Sequence, residues 1–126
     1  MKEKKIRMYL IFWFTNSASS KYKNLSCYRK TKTGEEYLQF ACVEKIDKRY
    51  VDYEEVENEF LKKYKENQKL VNDLIYNVDG KFNIEIVPEF TFSTPTPAIL
   101  VDKKLIDLIN SLGDKFGHLE VDSYIV

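Results

Sequence analysis

Residues 6–15, IRMYLIFWFT, constrain the fold most. Successive side chains of a strand point to opposite faces. Here both faces are apolar, as in a strand with neighbours on either side inside a sheet. The run is shorter than the roughly 18 apolar residues of a membrane span. Its basic lead, MKEKK, invites comparison with a signal peptide. The apolar stretch is short and aromatic, however, and no small-residue cleavage motif follows it. It reads better as the buried first strand of a cytoplasmic protein. At 126 residues the chain suits one domain, residues 1–126, with one core. Two cysteines, Cys27 and Cys42, are too few for a disulfide scaffold, so reduced thiols are expected.

The rest of the chain alternates strand and helix signals, with no repeat and no low-complexity linker. NSASSKYKN (16–24) reads as a loop, LSCYRK as a short strand, TKTGEE as a turn and EYLQFACVEKI as a longer strand. The two strands form a hairpin around Gly34. Asp52 followed by Glu55 is a capping-box spacing. Tyr53, Val56, Phe60, Tyr64, Val71, Leu74 and Val78 then recur at helical steps, with a bend or break in KENQK. Gly80 reads as a helix-ending glycine. FNIEIVPEFTF (82–92) alternates as a strand, with Phe82, Ile84 and Ile86 on one face and Asn83, Glu85 and Val87 on the other. Pro88 marks an edge, a bulge or an end of that strand. After the extended STPTP, Asp102 caps a short helix that turns Leu105, Ile106, Ile109 and Leu112 inward and stops at Gly113. Residues 117–126 form a last strand. The expected architecture is α+β: an antiparallel or mixed sheet of about five strands, with one long and one short helix packed on one face. A strand–helix–strand crossover closes the chain.

Little of the recognised chemistry is present. His118, Glu120 and Asp122 alternate onto one face of the last strand, with Leu119, Val121 and Ile125 on the other as core. Two of the three polar residues could share a metal. The third, Asp122, lies about 13 Å along the strand from His118, and no second histidine or C-x-x-C pair adds ligands. No metal or other cofactor is expected. Neither cysteine sits in a nucleophile motif, and there is no phosphate-binding glycine loop. The chain therefore reads as a non-enzyme.

Charge is the strongest compositional signal. Residues 1–50 carry 12 Lys/Arg against 5 Asp/Glu; residues 51–126 carry 8 against 15, so the halves are +7 and −7. Either the fold has a basic and an acidic surface, or the halves interleave and the charges mix. The basic half interleaves cations with Tyr22, Tyr28, Tyr37 and Tyr50, a pattern that can hold nucleic acid. Strands favour tyrosine in any case, and the sequence pI of about 6.6 is too low for a basic footprint. In the acidic half, Glu54, Glu55, Glu57, Glu59 and Glu66 fall on the outer face of the long helix. Glu85 and Glu89 join Glu120 and Asp122 if their strands are neighbours.

TPAILVDKKLIDLINSLGDKFGHLEVDSYIV resembles the C-terminal signature of the domain of unknown function 4279 family. The shared elements are a short apolar segment (AILV), a Leu/Ile-rich helix after Asp102, Gly113, and a strand closing in Asp122-Ser123-Tyr124-Ile125. The preceding helix and the FNIEIV strand also suit that pattern, so the resemblance covers about half the chain. It implies the fold and a bacterial, intracellular setting, and it carries no catalytic residues. Small acidic-faced domains without catalytic motifs often resemble toxin-neutralising immunity proteins, an analogy of kind and not of site. The expected function is non-catalytic. An immunity protein would bind a cognate protein toxin, plausibly a nuclease with a basic surface, through Glu54, Glu55, Glu59, Glu66, Glu85, Glu89, Glu120 and Asp122, with exposed tyrosines as anchors. The alternative is a general ligand- or protein-binding regulatory module.

Overall fold

The two-faced apolar run lies at the middle of the sheet. The computed structural model describes residues 4–47, 51–90 and 98–125. In it β1 (Lys4–Phe14) is flanked by β3 (Glu36–Asp47) and β4 (Gly80–Phe90), antiparallel to both. β2 (Tyr28–Lys30) and β5 (Phe116–Val121) complete the order β2-β3-β1-β4-β5. The short β6 (Tyr124–Ile125) also pairs with β4. β4 runs parallel to β5, and parallel neighbours need a crossover connection; α4 (Lys103–Leu112) lies in it. α2 (Tyr53–Glu66) and α3 (Gln68–Asn77) carry the chain from β3 past β1 to β4. The fold is α+β, a mixed sheet backed by helices, as the alternation of patterns implies.

One core holds the layers together. Ile6, Met8, Leu10 and Phe12 of β1, Phe82, Ile84 and Ile86 of β4, and Leu38 of β3 are sealed from solvent against Val56, Phe60, Val71, Leu74 and Leu105 of the helices. The sheet's other face carries Arg7, Tyr9, Ile11 and Trp13 of β1 and Asn83, Glu85 and Val87 of β4. A bulge in β3 serves the core: between Met8↔Val43 and Leu10↔Phe40 the register shifts by one residue. The extra residue, Ala41, has φ 54° and is buried between Phe40 and Val43.

The helical segment breaks inside KENQK. Asn67 ends α2 and precedes α3, and its side-chain amide donates to the Lys63 carbonyl at 2.7 Å. At the other end of α2, Asp52 caps the helix by accepting from the Glu54 backbone N–H at 3.0 Å, satisfying one of the orphan donors.

Several local expectations are corrected. NSASSKYKN is not all loop: Ser20–Lys23 form one helical turn, α1, that buries Tyr22. Gly80 does not end a helix; α3 stops at Asn77, and Gly80 opens β4 where a Cβ would meet the Phe12 ring and the Trp13 carbonyl closer than 3.0 Å. Pro88 lies inside β4 opposite Ile6, where pairing passes from β5, ending at Ile86↔Val121, to β6, starting at Glu89↔Tyr124. A residue with no N–H fits such a gap between partners. On α4 the inward residues are Leu105, Leu108 and Leu112, whereas Ile106 is 47% exposed. The expected strand 117–126 is two short strands, and Val121 is exposed instead of core. STPTP lies outside the described residues.

The two charged halves interleave. Basic-half β1 sits between β3 and acidic-half β4. Lys5–Glu89 (4.0 Å), Lys21–Asp73 (2.9 Å) and Lys45–Glu59 (3.1 Å) each join a cation of the first half to a carboxylate of the second. The +7/−7 split is therefore partly neutralised by strand order.

One polar cluster ties α1 to α3 and makes stability pH-dependent at both extremes. The Tyr22 hydroxyl, Lys21 and the Asn77 amide all donate to the Asp73 carboxylate. These bonds, Tyr22's first, lower the Asp73 pKa from 3.8 to about 2. Burial first, and the Asp73 carboxylate second, raise Tyr22 from 10.0 to about 12. A depressed carboxylate contributes stability that is present above its unfolded pKa and lost as pH falls through the folded one. For Asp73 that window runs from pH 3.8 down to about 2. A raised phenol contributes stability that is present below its unfolded pKa, here pH 10.0, and lost as pH rises to about 12. Asp73→Asn is expected to flatten the acid limb of a urea-midpoint profile, and Tyr22→Phe the alkaline limb. Limbs identical to wild type would exclude this cluster as their source.

Candidate functional site

The eight carboxylates expected to form one binding surface occupy different parts of the molecule. Glu85 and Glu120 are cross-strand neighbours on the helix-free face of the sheet, as their strands' adjacency requires. Glu85 accepts from the Tyr9 hydroxyl at 2.5 Å, and Glu89 on the same strand lies 4.0 Å from Lys5. Asp122 follows β5 and is exposed. Glu54, Glu55, Glu59 and Glu66 belong to α2, across the sheet from these. Glu59 is paired with Lys45, and Glu66 lies near the far end of α2, about 18 Å from Glu54 at 1.5 Å rise per residue.

The structure does bring carboxylates together where α2 and α4 begin. Asp52 and Glu54 from the start of α2, Glu57 one turn on, and Asp102 at the start of α4 line a cleft of about 320 Å³. Tyr53, Ala98, Leu100 and Val101 also line it, and no cation is among the described lining residues. Glu55 stands exposed beside it in the first turn.

Glu57 is the unexpected member. The outer-face assignment is wrong for it: Glu57 is 2% exposed. Its carboxylate accepts a long 3.4 Å bond from the Asp102 backbone N–H, and it makes no ion pair with any described residue. The Tyr53 hydroxyl is sealed from solvent and makes no hydrogen bond of normal length. Burial, and next the neighbouring Glu57 carboxylate, push the Tyr53 pKa upward. Leu100, 81% exposed, and Val101 add an apolar rim. A signal for Glu57 existed in the sequence: it falls four residues after Tyr53 and three before Phe60, on the buried stripe.

The other sequence candidates are committed elsewhere. His118 Nε2 lies 3.5 Å from Glu120, both are exposed, and no group of three metal-ligating side chains occurs among the described residues. Cys27 and Cys42 are free thiols, and partial burial holds both above the ordinary thiol pKa, the opposite of an activated nucleophile. The tyrosines are mostly turned to internal uses. Tyr22 is buried on Asp73, Tyr28 donates to Glu36, and Tyr37 packs on Trp13 with ring centroids 4.6 Å apart. Tyr76, 81% exposed, is the freely presented one among those described, while Tyr50 lies outside the described residues. No described helix is long and apolar enough to cross a membrane. The chain matches no protein-family model, no curated protein and no solved structure.

Proposed function

We propose that this protein is a bacterial immunity protein that binds a basic protein toxin without chemistry of its own, using the acidic cleft at the starts of α2 and α4. The observation that carries the reading is Glu57, a buried carboxylate with no cation beside it among the described residues, beneath an apolar rim. An arginine or lysine from a partner fits that environment. Its carbon stem covers Leu100 and Val101 while its charged head meets Glu57, Glu54 and Asp52. Such a desolvated anchor is the kind of contact that dominates interface energies. Glu55 outside the cleft adds long-range attraction that speeds encounter. The resemblance to the domain of unknown function 4279 family is part of this reading, as the source of its bacterial, intracellular setting.

The double charge reversal Glu54→Lys/Glu55→Lys leaves the core untouched, because both side chains are exposed. The immobilised wild-type chain is expected to retain a basic protein whose toxicity it suppresses in co-expression. The reversed variant is expected to bind at least about tenfold more weakly and to fail to protect. Protection undiminished in that variant would reject the cleft as the binding site.

A further inference from the structure

Next to the acidic cleft, on the same two helices, is a groove of opposite charge. It has a volume of about 730 Å³ and is lined by Asn58, Leu61, Lys62, Tyr64 and Lys65 of α2, by Gln68 at the start of α3, and by Lys104, Asp107 and Leu108 of α4. Leu61, Tyr64 and Leu108 make an apolar floor. Lys62, Lys65 and Lys104 stand above it from both walls, all exposed, against one carboxylate, Asp107. None of the three lysines is ion-paired with a described residue. The three lysines converge across the gap between the two helices.

We infer that this groove is a docking site for an acidic amphipathic helix of a partner protein. Two features select that occupant. The groove follows α2 from Asn58 to Lys65, about 11 Å at 1.5 Å rise per residue, and continues past the break at Asn67 to Gln68 at the start of α3, room for at least two turns of a helix laid alongside. Apolar anchors at i, i+3/i+4 and i+7 would meet the floor, and carboxylates on the flanks would meet lysines on both walls. The charge is the reverse of the cleft's, so the occupant is a different segment from the basic one proposed above. The inference stands on its own residues.

The test uses the full chain, isotopically labelled for NMR. Its probe is a synthetic three-turn amphipathic peptide with a leucine stripe flanked by glutamates. Three control ligands are the same peptide with lysines for the glutamates, the same peptide with serines for the leucines, and inorganic phosphate. The acidic amphipathic peptide is expected to shift the amide signals of Leu61, Tyr64 and Leu108 selectively. The triple variant Lys62→Glu/Lys65→Glu/Lys104→Glu should retain the wild-type melting temperature and bind the peptide at least about tenfold more weakly. Any of four results would overturn the inference: no binding at millimolar peptide, equal binding of the lysine or serine peptide, shifts centred elsewhere, or full competition by phosphate, which would mark a small-anion site. These outcomes leave the acidic cleft untouched, since its residues are read separately in the same spectra.

Discussion

Gly80→Ala is expected to destabilise the protein by at least about 3 kcal/mol, the upper end of overpacking costs. That is a large part of the roughly 5–15 kcal/mol that holds a domain folded. An added Cβ would meet two ring atoms of Phe12 and the backbone carbonyl of Trp13, all closer than 3.0 Å. A flexible side chain can swing aside, but the Trp13 carbonyl is fixed by pairing between β1 and β4, where Trp13 opposes Lys81 and Phe14 opposes Gly80. Relief therefore requires the central strands to part at their end. A urea midpoint within experimental error of wild type would show that the strands are not held this closely.

Phe12→Ala is expected to cost about 3–5 kcal/mol, as deletion of a fully buried aromatic does. The ring is inaccessible to solvent and packs edge-on against Phe14 at 5.2 Å and Phe82 at 4.8 Å between centroids. Pairs of this geometry add to the area they bury. The two substitutions are coupled, because Phe12 supplies part of the clash at Gly80. In the double variant the ring is gone and only the Trp13 carbonyl remains in the way. The combined loss should fall short of the sum by more than the ~0.5 kcal/mol scatter of independent sites. Strict additivity would mean that the ring does not fill the space over Gly80.

The sheet was legible because its cause is local. A run apolar on both faces has to be flanked, and β1 is; alternation in FNIEIV puts Phe82, Ile84 and Ile86 in the core. The Asp52 cap and the break in KENQK were legible for the same reason, since capping and interruption depend on a few neighbouring residues. Gly80 and Pro88 were misread because their roles come from other strands: a ring and carbonyl of β1 for one, a change of partner from β5 to β6 for the other. The charge split left two arrangements open, and topology decides for interleaving, as placing β1 between β3 and β4 sets basic residues beside acidic ones. Of the expected binding residues, Glu54 alone lines the acidic cleft, with Glu55 next to it in the chain and outside the lining. Glu85, Glu89 and Glu120 lie across the sheet, which no spacing along a single chain segment could reveal. Glu57 and Asp102 meet only because α4 packs beside α2, a contact between residues 45 positions apart.

On the function proposed above, the chain works by contact, through an acidic cleft that receives a cation from a basic partner. The most direct measurement is the affinity for the captured partner as a function of salt, for wild type and for Glu54→Lys/Glu55→Lys. Screening lengths fall from about 10 Å at 0.1 M to about 3 Å at 1 M ionic strength. Wild-type affinity is expected to decline steadily with salt, and that of the reversed variant to be weaker and to vary less with salt. Recovery of no basic partner, or affinities indifferent to both salt and substitution, would contradict it.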